Sequence, residues 1–296
     1  MRKWKRSSSF GYHMGCTYRA ALERQEAEGN AEQEIIDAVE ANAFRTNAYA
    51  AHGTVSHWVL QKGMGCAFPK LDENGDVDHG VPLSPDYALE HKYTDEELDI
   101  ASGLFSNDTT KTLKIAHAVA SRAARRIQKE FPLDEGVYWM AELEVDGICP
   151  GHIDFTSSDL KYIIDLKTAT RPPGDVAKLE HIRQVHTYAA NTGAKRLAIL
   201  YVDSQKADWD HWVDWDLNDE ELLNYFEDTL AANELLDSKD LFKYAIRSFS
   251  DANCTWCPFK KICRDRIMDK FRVRHAGTSG SCTQPTSGFR AQMGIQ

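Results

Sequence analysis

The spacing of apolar residues predicts that the first half of the chain is largely helical. Residues 16–39 are rich in Ala, Glu, Gln and Arg, which favour helices. Residues 109–129 set apolar side chains on one helical face, at Leu113, Ala116, Val119 and Ala123. The remainder of that helix carries Arg122, Arg125, Arg126 and Lys129. Residues 68–100 interrupt the pattern with Asp-Glu-Asn-Gly-Asp and prolines, so we expect a surface insertion there.

The second half alternates between short strands and helices. Strands are predicted at 137–145, 151–155, 161–166, 196–203 and 209–215. The first three are separated only by turn residues, which favours a β-meander, and a helix is predicted at 176–191. Asn218 and Glu221 have the spacing of a capping box, which predicts a helix to about Leu236. These elements predict an α/β fold with helices packed on a central sheet.

Length and composition are those of a folded globular protein. The chain has 296 residues, 42% of them hydrophobic, which is enough for a substantial core. We expect one domain over 1–276 and a disordered tail rich in Ser, Thr, Gly and Gln over 277–296. Its apolar runs are too short to span a bilayer, and no apolar segment of a signal peptide follows the basic N-terminus. We therefore expect a cytoplasmic protein, in the host cytoplasm if a phage encodes it.

The formal charge of -10 argues against a protein that coats nucleic acid with its whole surface. The charge is unevenly distributed, because residues 260–274 carry seven Lys or Arg against two Asp. We predict a local DNA-binding face there, formed by Lys260, Lys261, Arg264 and Arg266. The alternative is a solvated helix surface with no ligand.

A pair of acidic residues and a lysine form the sharpest local feature. Asp154 lies on one predicted strand, and Asp165 and Lys167 lie two residues apart at the end of the next, so in extended backbone they share a face. If the strands form a hairpin, Asp154 lies beside Asp165. Carboxylate oxygens and the Leu166 carbonyl suit Mg²⁺ or Mn²⁺, and an ammonium beside them would stabilise a charged transition state. A surface ion pair is the alternative for Asp-Leu-Lys alone, but Asp165 follows an apolar run, where an unpaired charge is costly.

Four short motifs occur in order along the chain. They are Gly53-Thr-Val-Ser-His57, Gly151-His-Ile-Asp154, Ile164-Asp-Leu-Lys167 and Gln184-Val-His-Thr-Tyr188. In this order they resemble the nuclease domains of RecB and AddB, the CRISPR-adaptation nucleases and the exonuclease V group. The resemblance covers about residues 7–265. It implies a PD-(D/E)XK, restriction-endonuclease-like core, in which helices flank a mixed sheet, with a helical N-terminal and a cysteine-rich C-terminal segment.

The resemblance also implies roles for single residues. His57 matches a metal-binding histidine, Asp154 and Asp165 match metal-binding carboxylates, and Lys167 matches the catalytic lysine. Gln184 and Tyr188 match a helix motif near the site. Glu142 matches a glutamate of the preceding strand, and because Glu144 shares its face, the sequence leaves the choice of accessory acid between them open.

Seven cysteines without an export signal favour metal binding over disulfides. Cys254, Cys257 and Cys263 are spaced by two and five intervening residues, and a tetrahedral thiolate site needs a fourth ligand. The resemblance implies a [4Fe-4S] cluster completed by an early cysteine, Cys16, which would join the two ends of the domain. Zn²⁺ is the alternative metal, and Cys66 is the weaker candidate for the early ligand.

The sequence thus favours a metal-dependent DNA nuclease, expected to be an exonuclease on single-stranded ends. Recombination, repair, and phage or CRISPR DNA processing are the expected settings, with a helicase or recombination protein as a partner. The rival hypotheses are a catalytically silent DNA-binding module and a zinc-stapled scaffold. Retention of both carboxylates and the lysine speaks against the silent module.

Overall fold

The computed structural model of the protein describes residues 12–43, 47–71, 77–78, 93–145, 149–238, 240–241, 245, 247, 254 and 257–266. The predicted tail at 277–296 and most of the predicted insertion at 68–100 lie outside these residues. In the part of the chain that the structure describes, no helix is long and apolar enough to cross a membrane.

The helices occupy Thr17–Ala27 (α1), Gln33–Ala43 (α2), Ala48–Gly63 (α3), Asp95–Ser102 (α4), Thr109–Glu130 (α5), Leu179–Thr192 (α6) and Asp219–Asp237 (α7). Polar side chains fix where several of them begin. Asn47 caps α3 by accepting the Ala50 N–H, and Asp108 caps α5 by accepting the Lys111 N–H. The predicted capping box at the start of α7 is present.

The strands are Lys70–Leu71 (β1), Val77–Asp78 (β2), Trp139–Val145 (β3), Gly151–Ser157 (β4), Tyr162–Ala169 (β5), Arg196–Asp203 (β6) and Asp210–Asp216 (β7). β1 and β2 form a small hairpin, and the central sheet has the order β3-β4-β5-β6-β7. β5 and β6 are parallel and are joined through α6, whereas the other neighbours in this sheet are antiparallel. The sheet is therefore mixed, as expected.

Helices cover both faces of the central sheet. On one face, α3 and α5 bury a core that includes Leu60, Val119, Ile127, Phe155, Ile164 and Leu200. On the other face, α6 and α7 pack on a core that includes Ile163, Val185, Tyr188, Leu197 and Ile199. Because β5 and β6 are covered on both sides, their sequences read as nearly continuous apolar runs. A charged side chain in β5 is consequently buried.

The two ends of the described chain pack together. Tyr18 and Leu22 of α1 and Ile35 of α2 form a cluster with Phe259 and Ile262 of the helical segment at 260–266. This apolar contact brings the cysteine-rich segment against the N-terminal helices.

The structure differs from the predicted elements mainly at chain reversals. The stretch at 16–39, predicted to be helical, is divided between two helices, because the chain turns at Gly29, whose φ of 74° lies in the left-handed region. The last residues of the predicted insertion begin α4, which opens with a capping box between Thr94 and Glu97. The rest of the insertion at 68–100 stays a prediction.

The capping box of α7 gives a stability prediction. We expect Asn218→Ala to lower the free energy of unfolding by about 1 kcal/mol, because the Glu221 N–H loses its acceptor. Asn218→Asp should be close to neutral, since aspartate caps as well as asparagine. Denaturant unfolding followed by circular dichroism measures both. Equal loss in the two variants would contradict a capping role.

Candidate active site

Three acidic residues lie side by side across the central sheet. The register of β3 with β4 skips Glu142 and Asp154, which lie between its paired neighbours, and the register of β4 with β5 ends just before Asp154 and Asp165. The regular β4–β5 ladder ends one residue before this row, at Phe155. In its place, the Leu166 N–H donates to Asp154 Oδ2 at 2.8 Å. The hairpin expected from the sequence therefore brings the two aspartates together.

At this row, the buried side chains of β3 and β4 switch from one side of the sheet to the other. Ala141 and Phe155 pack in the core under α3 and α5, but Leu143 and Ile153 pack in the core under α6. Regular alternation would keep residues two apart on one side of the sheet. On β3 the change coincides with Glu142, whose φ of 57° is left-handed and costs about 1–3 kcal/mol for a residue other than glycine. Backbone strain is thus located at the row of acids.

Lys167 is held by two partners. Its Nζ donates to Asp165 Oδ1 at 2.9 Å and to Gln184 Oε1 at 3.2 Å. Gln184 in turn donates from Nε2 to the Tyr188 hydroxyl at 2.9 Å. The four-residue spacing on α6 puts Gln184 and Tyr188 on the face that meets β5. The predicted helix motif therefore contacts the predicted lysine directly.

His57 approaches the acids from α3. Its Nδ1 lies 3.7 Å from Asp154 Oδ2. Four residues on, Gln61 donates from Nε2 to Glu142 Oε1 at 2.7 Å. Gln61 was not predicted from the sequence, although its i,i+4 relation to His57 places both on one helical face and gives a signal that could have found it.

A cleft of about 440 Å³ opens between α3 and the sheet at this point. Its lining includes Gly53, His57, Gln61, Glu142, Leu166 and Lys167. Glu144 of β3, by contrast, lies opposite His152 of β4 and is exposed. Of the two glutamates that the sequence left open, Glu142 is the one beside the aspartates and the cleft.

Burial dominates the electrostatics of the acids. It raises the pKa of Asp154 to about 6 and that of Asp165 to about 6, against the lowering effect of the Lys167 charge. Asp165 is fully buried. Within the described residues, its Oδ2 has no hydrogen-bond donor. The site therefore holds carboxylates that lack sufficient neutralising partners.

The pKa values of Lys167 and His57 are shifted in opposite directions. Burial lowers the pKa of Lys167, but the carboxylates of Asp165 and Asp154 outweigh it and keep the pKa above its usual value. Burial, and then the Lys167 charge, lower the pKa of His57. At neutral pH the lysine is consequently a cation and the imidazole is neutral.

The side chains of the site are paired with one another and do not form an open metal cage. Among the described residues, no group of three or more His, Cys, Asp or Glu is arranged to hold a metal ion. Asp165 bonds to Lys167, Asp154 to the Leu166 N–H and Glu142 to Gln61. A cation would therefore bind with rearrangement of these side chains.

The four predicted cluster cysteines lie in one region at the junction of the chain ends. Cys16, Cys257 and Cys263 pack around the apolar cluster of Tyr18 and Phe259. Burial raises the pKa of the Cys257 and Cys263 thiols, and nearby Cys16 and Cys254 raise both further. Among the described residues, these thiols do not form a preformed coordination shell.

The remaining described cysteines lie elsewhere. Cys66 is in the core under α3 and α5, where burial raises its pKa to about 12. Cys149 packs with Ala20, Ala21 and Leu236. Cys66 therefore belongs to a different cluster from Cys257 and Cys263, and Cys282 lies outside the described residues.

The predicted basic face at 260–274 is described only to Arg266. Lys260, Lys261 and Arg264 are exposed. Arg266 instead forms ion pairs of 2.7 Å with both Glu32 and Glu34. Its charge is thus engaged in holding the C-terminal segment against the start of α2.

Comparison with known proteins identifies one family. A sequence model of the PD-(D/E)XK nuclease superfamily matches residues 14–264. A comparison with curated proteins finds no match. A solved structure titled "Crystal structure of SSO0001" is 17% identical over 57% of this chain and 75% of that chain, with a TM-score of 0.30. That likeness is too distant to inform the details of the site.

The close approach of α3 to β5 yields a second prediction. A Cβ at Gly53 would lie 3.1 Å from Thr168 Oγ1, whereas one at Gly63 on the same helix would meet nothing within 4 Å. We expect Gly63→Ala to stabilise the protein by up to about 1 kcal/mol through helix propensity. Gly53→Ala should lose that gain, and Thr168→Ala in the same chain should restore it. Thermal unfolding of the variants tests this, and equal gains at both glycines would contradict the close contact.

Proposed function

We propose that this chain, which belongs to the PD-(D/E)XK nuclease superfamily, is a metal-dependent DNA nuclease that acts as an exonuclease on single-stranded ends. Membership implies a nuclease with DNA as its substrate, and superfamily members generally use Mg²⁺ or Mn²⁺. The observation that carries the proposal is the convergence of Asp154, Asp165 and Lys167 beside one cleft.

The residues of the site fit a hard divalent cation. Asp154 and Asp165 offer carboxylate oxygens, of which Asp165 Oδ2 has no donor among the described residues. The Leu166 carbonyl and the neutral imidazole of His57 would complete the ligand set. When bound, the cation supplies Lewis-acid polarisation of the phosphodiester and lowers the pKa of water. Positive charge here would also relieve the repulsion between the buried carboxylates.

Lys167 is the residue that we propose stabilises the negative charge developing in the transition state. Asp165 and Gln184 hold its ammonium beside the acids, so a charged donor is already present where negative charge develops. Tyr188 orients Gln184 through the hydrogen bond from Nε2. Because its pKa is held high, Lys167 is a charged donor available to phosphate oxygens.

Glu142 is the accessory acid in this proposal. It lines the cleft, and Gln61 anchors one of its carboxylate oxygens. Its strained backbone directs it into the row of acids, whereas Glu144 is exposed. Glu142 therefore has the position needed to bind or orient water beside Asp154.

The dimensions of the cleft support a single-stranded substrate. Its volume of about 440 Å³ is in the range of small-ligand pockets, roughly 300–1,000 Å³. That space suits a nucleotide or two of one strand. The preference for ends, the exonuclease activity, the recombination, repair, phage or CRISPR setting, and a helicase or recombination partner rest on resemblance alone.

We further propose that Cys16, Cys254, Cys257 and Cys263 hold a [4Fe-4S] cluster, with Zn²⁺ as the alternative. The proximity of Cys16 and Cys254 to the two other thiols supports this. The contact of α1 and α2 with the helical segment at 260–266 already joins the two ends. A metal centre would strengthen that junction by closing a long loop. Lys260, Lys261 and Arg264 would offer phosphate contacts nearby, with Arg266 committed to Glu32 and Glu34.

The nuclease proposal predicts that cleavage requires both Asp165 and Lys167. We expect Asp165→Asn and Lys167→Gln to reduce cleavage at least about 1,000-fold while DNA binding persists, since both groups act mainly in the transition state. A strand labelled at either end and digested with Mg²⁺ or Mn²⁺ gives the rate and the polarity. Full cutting by either variant would overturn the site assignment.

A matched pair on β3 serves as the control. Glu142→Gln should slow cleavage, whereas Glu144→Gln, two residues away and exposed, should cut like the parent. Both changes remove one negative charge, so a general effect of net charge would change the two rates equally. Equal rates would exclude Glu142 as the accessory acid.

The cysteine proposal predicts metal content. Protein purified without oxygen should be brown and contain about four iron and four sulfide per chain. Serine at Cys16, Cys254, Cys257 or Cys263 should release the cluster. It should also lower the melting temperature of the protein by weakening the contact of α1 and α2 with the segment at 260–266. Serine at Cys66, Cys149 or Cys282 should leave the iron content at the parent value. Stoichiometric zinc without iron would decide for the alternative metal.

A further inference from the structure

A row of basic side chains runs along one side of α5. It consists of Lys111, Lys114, Arg122, Arg125 and Lys129, and we call it the basic row. At about 100° per residue, these five positions fall within roughly 80° of the helix circumference. The single acid of α5 is Glu130, at its last position. The row is therefore a coherent cationic strip on a protein whose formal charge is -10.

Most of the basic row is open to solvent. Lys111, Lys114, Arg125 and Lys129 are exposed. Lys129 lies 3.1 Å from Glu130 but keeps 70% of its side chain accessible. Arg122 is the member committed to the fold, through a 3.1 Å ion pair with Asp210.

Such a row carries an electrostatic cost. Like charges three or four residues apart on a helix destabilise it by about 0.2–0.5 kcal/mol per pair. Exposed helices usually relieve this with acids at the same spacing, as α1 does with Arg19–Glu23 and Arg24–Glu28. α5 has no such partners along most of the row. Phosphates of a polyanion would supply the missing negative charge.

α5 lies next to α3, the helix that lines the cleft, and it carries the basic row on its outer, solvent-facing side. Leu60 of α3 packs with Val119, Ala123 and Ile127 of α5. At the start of the row, the Phe105 ring lies 5.9 Å from the Lys111 ammonium and 5.3 Å from the His52 ring of α3. A strand that leaves the cleft and crosses over α3 would therefore reach the outer side of α5, where the basic row lies.

We propose that the basic row binds the sugar-phosphate backbone of the DNA that extends beyond the cleft. This inference rests on the proposed nuclease function, because it supplies a track for the part of the substrate that is not cut. Lys111 and Lys129 are 18 residues apart, or roughly 27 Å along the helix axis, a span that several phosphates of one strand cover. Contacts to phosphates carry no sequence information, so the row acts on any sequence.

The test compares two triple variants with the same change in charge. One carries Lys114→Gln, Arg125→Gln and Lys129→Gln in the basic row. The control carries Lys161→Gln, Lys195→Gln and Lys206→Gln, which are exposed lysines at strand ends and a turn. Lys111 is left in place because of its contact with Phe105. Affinity for a DNA strand of about 25 nucleotides is measured against salt concentration in EDTA, where no cutting occurs.

We expect the row variant to bind more weakly and to lose up to about 2 from the slope of log affinity against log salt, or about 0.7 per lost single-strand contact. The control should keep the parent slope. A blunt duplex of the same sequence identifies the ligand, since a slope loss on the duplex alone would assign the row to double-stranded DNA adjoining the end. Parent slopes in the row variant, or equal losses in both variants, would overturn the inference.

Two further readouts separate the possible failures. Without DNA at low salt, the row variant should melt at the parent temperature or above it, because repulsion has been removed; a lower melting temperature would show that the row is structural. Cleavage of a dinucleotide, too short to reach α5, should be unchanged. If the parent protein cuts DNA but the row variant keeps the parent salt slope, the proposal for the basic row is wrong. If the row variant loses slope but the parent protein does not cut DNA, the nuclease proposal is wrong.

Discussion

The burial of like-charged carboxylates is the constraint on which the rest of this structure depends. Asp154 and Asp165 lie on neighbouring strands of a sheet covered on both faces, and burial raises both pKa values to about 6. Removing one charge partner from such a site is costly, because the remaining charge is left uncompensated. Lys167 and the Leu166 N–H therefore serve stability and positioning together.

Each of the two helical layers supplies polar side chains to this site. α3 contributes His57 and Gln61 from one side, and α6 contributes Gln184 and Tyr188 from the other. The sheet is irregular at the same point, because the β4–β5 ladder ends there and the buried side chains of β3 and β4 switch sides. A perfectly regular sheet would satisfy its backbone but would leave Asp154 without the Leu166 donor. Local irregularity is thus the means by which the acids acquire partners.

Much of the fold could be predicted from sequence because its signals are local. The limits of β6 agree with the predicted 196–203, and the capping box at Asn218 is confirmed. The left-handed conformation of Glu142 could not be predicted, because glutamate carries no preference for it and tertiary contacts impose it. The pairing of Arg266 with α2 was likewise hidden, since the contact spans more than 200 residues of sequence. The roles of the site residues and of the cysteines stay predictions.

The central claim is that the buried aspartates bind a divalent cation, and Mn²⁺ calorimetry in buffers of different ionisation enthalpy tests it most directly. Because both pKa values are about 6, a cation at about pH 6 must displace protons, and we expect about one released per chain. At about pH 8 the aspartates are ionised, so release should approach zero and affinity should rise. Asp154→Asn and Asp165→Asn should abolish both binding and release. Unchanged Mn²⁺ binding in these variants, or binding without proton release at about pH 6, would contradict the account.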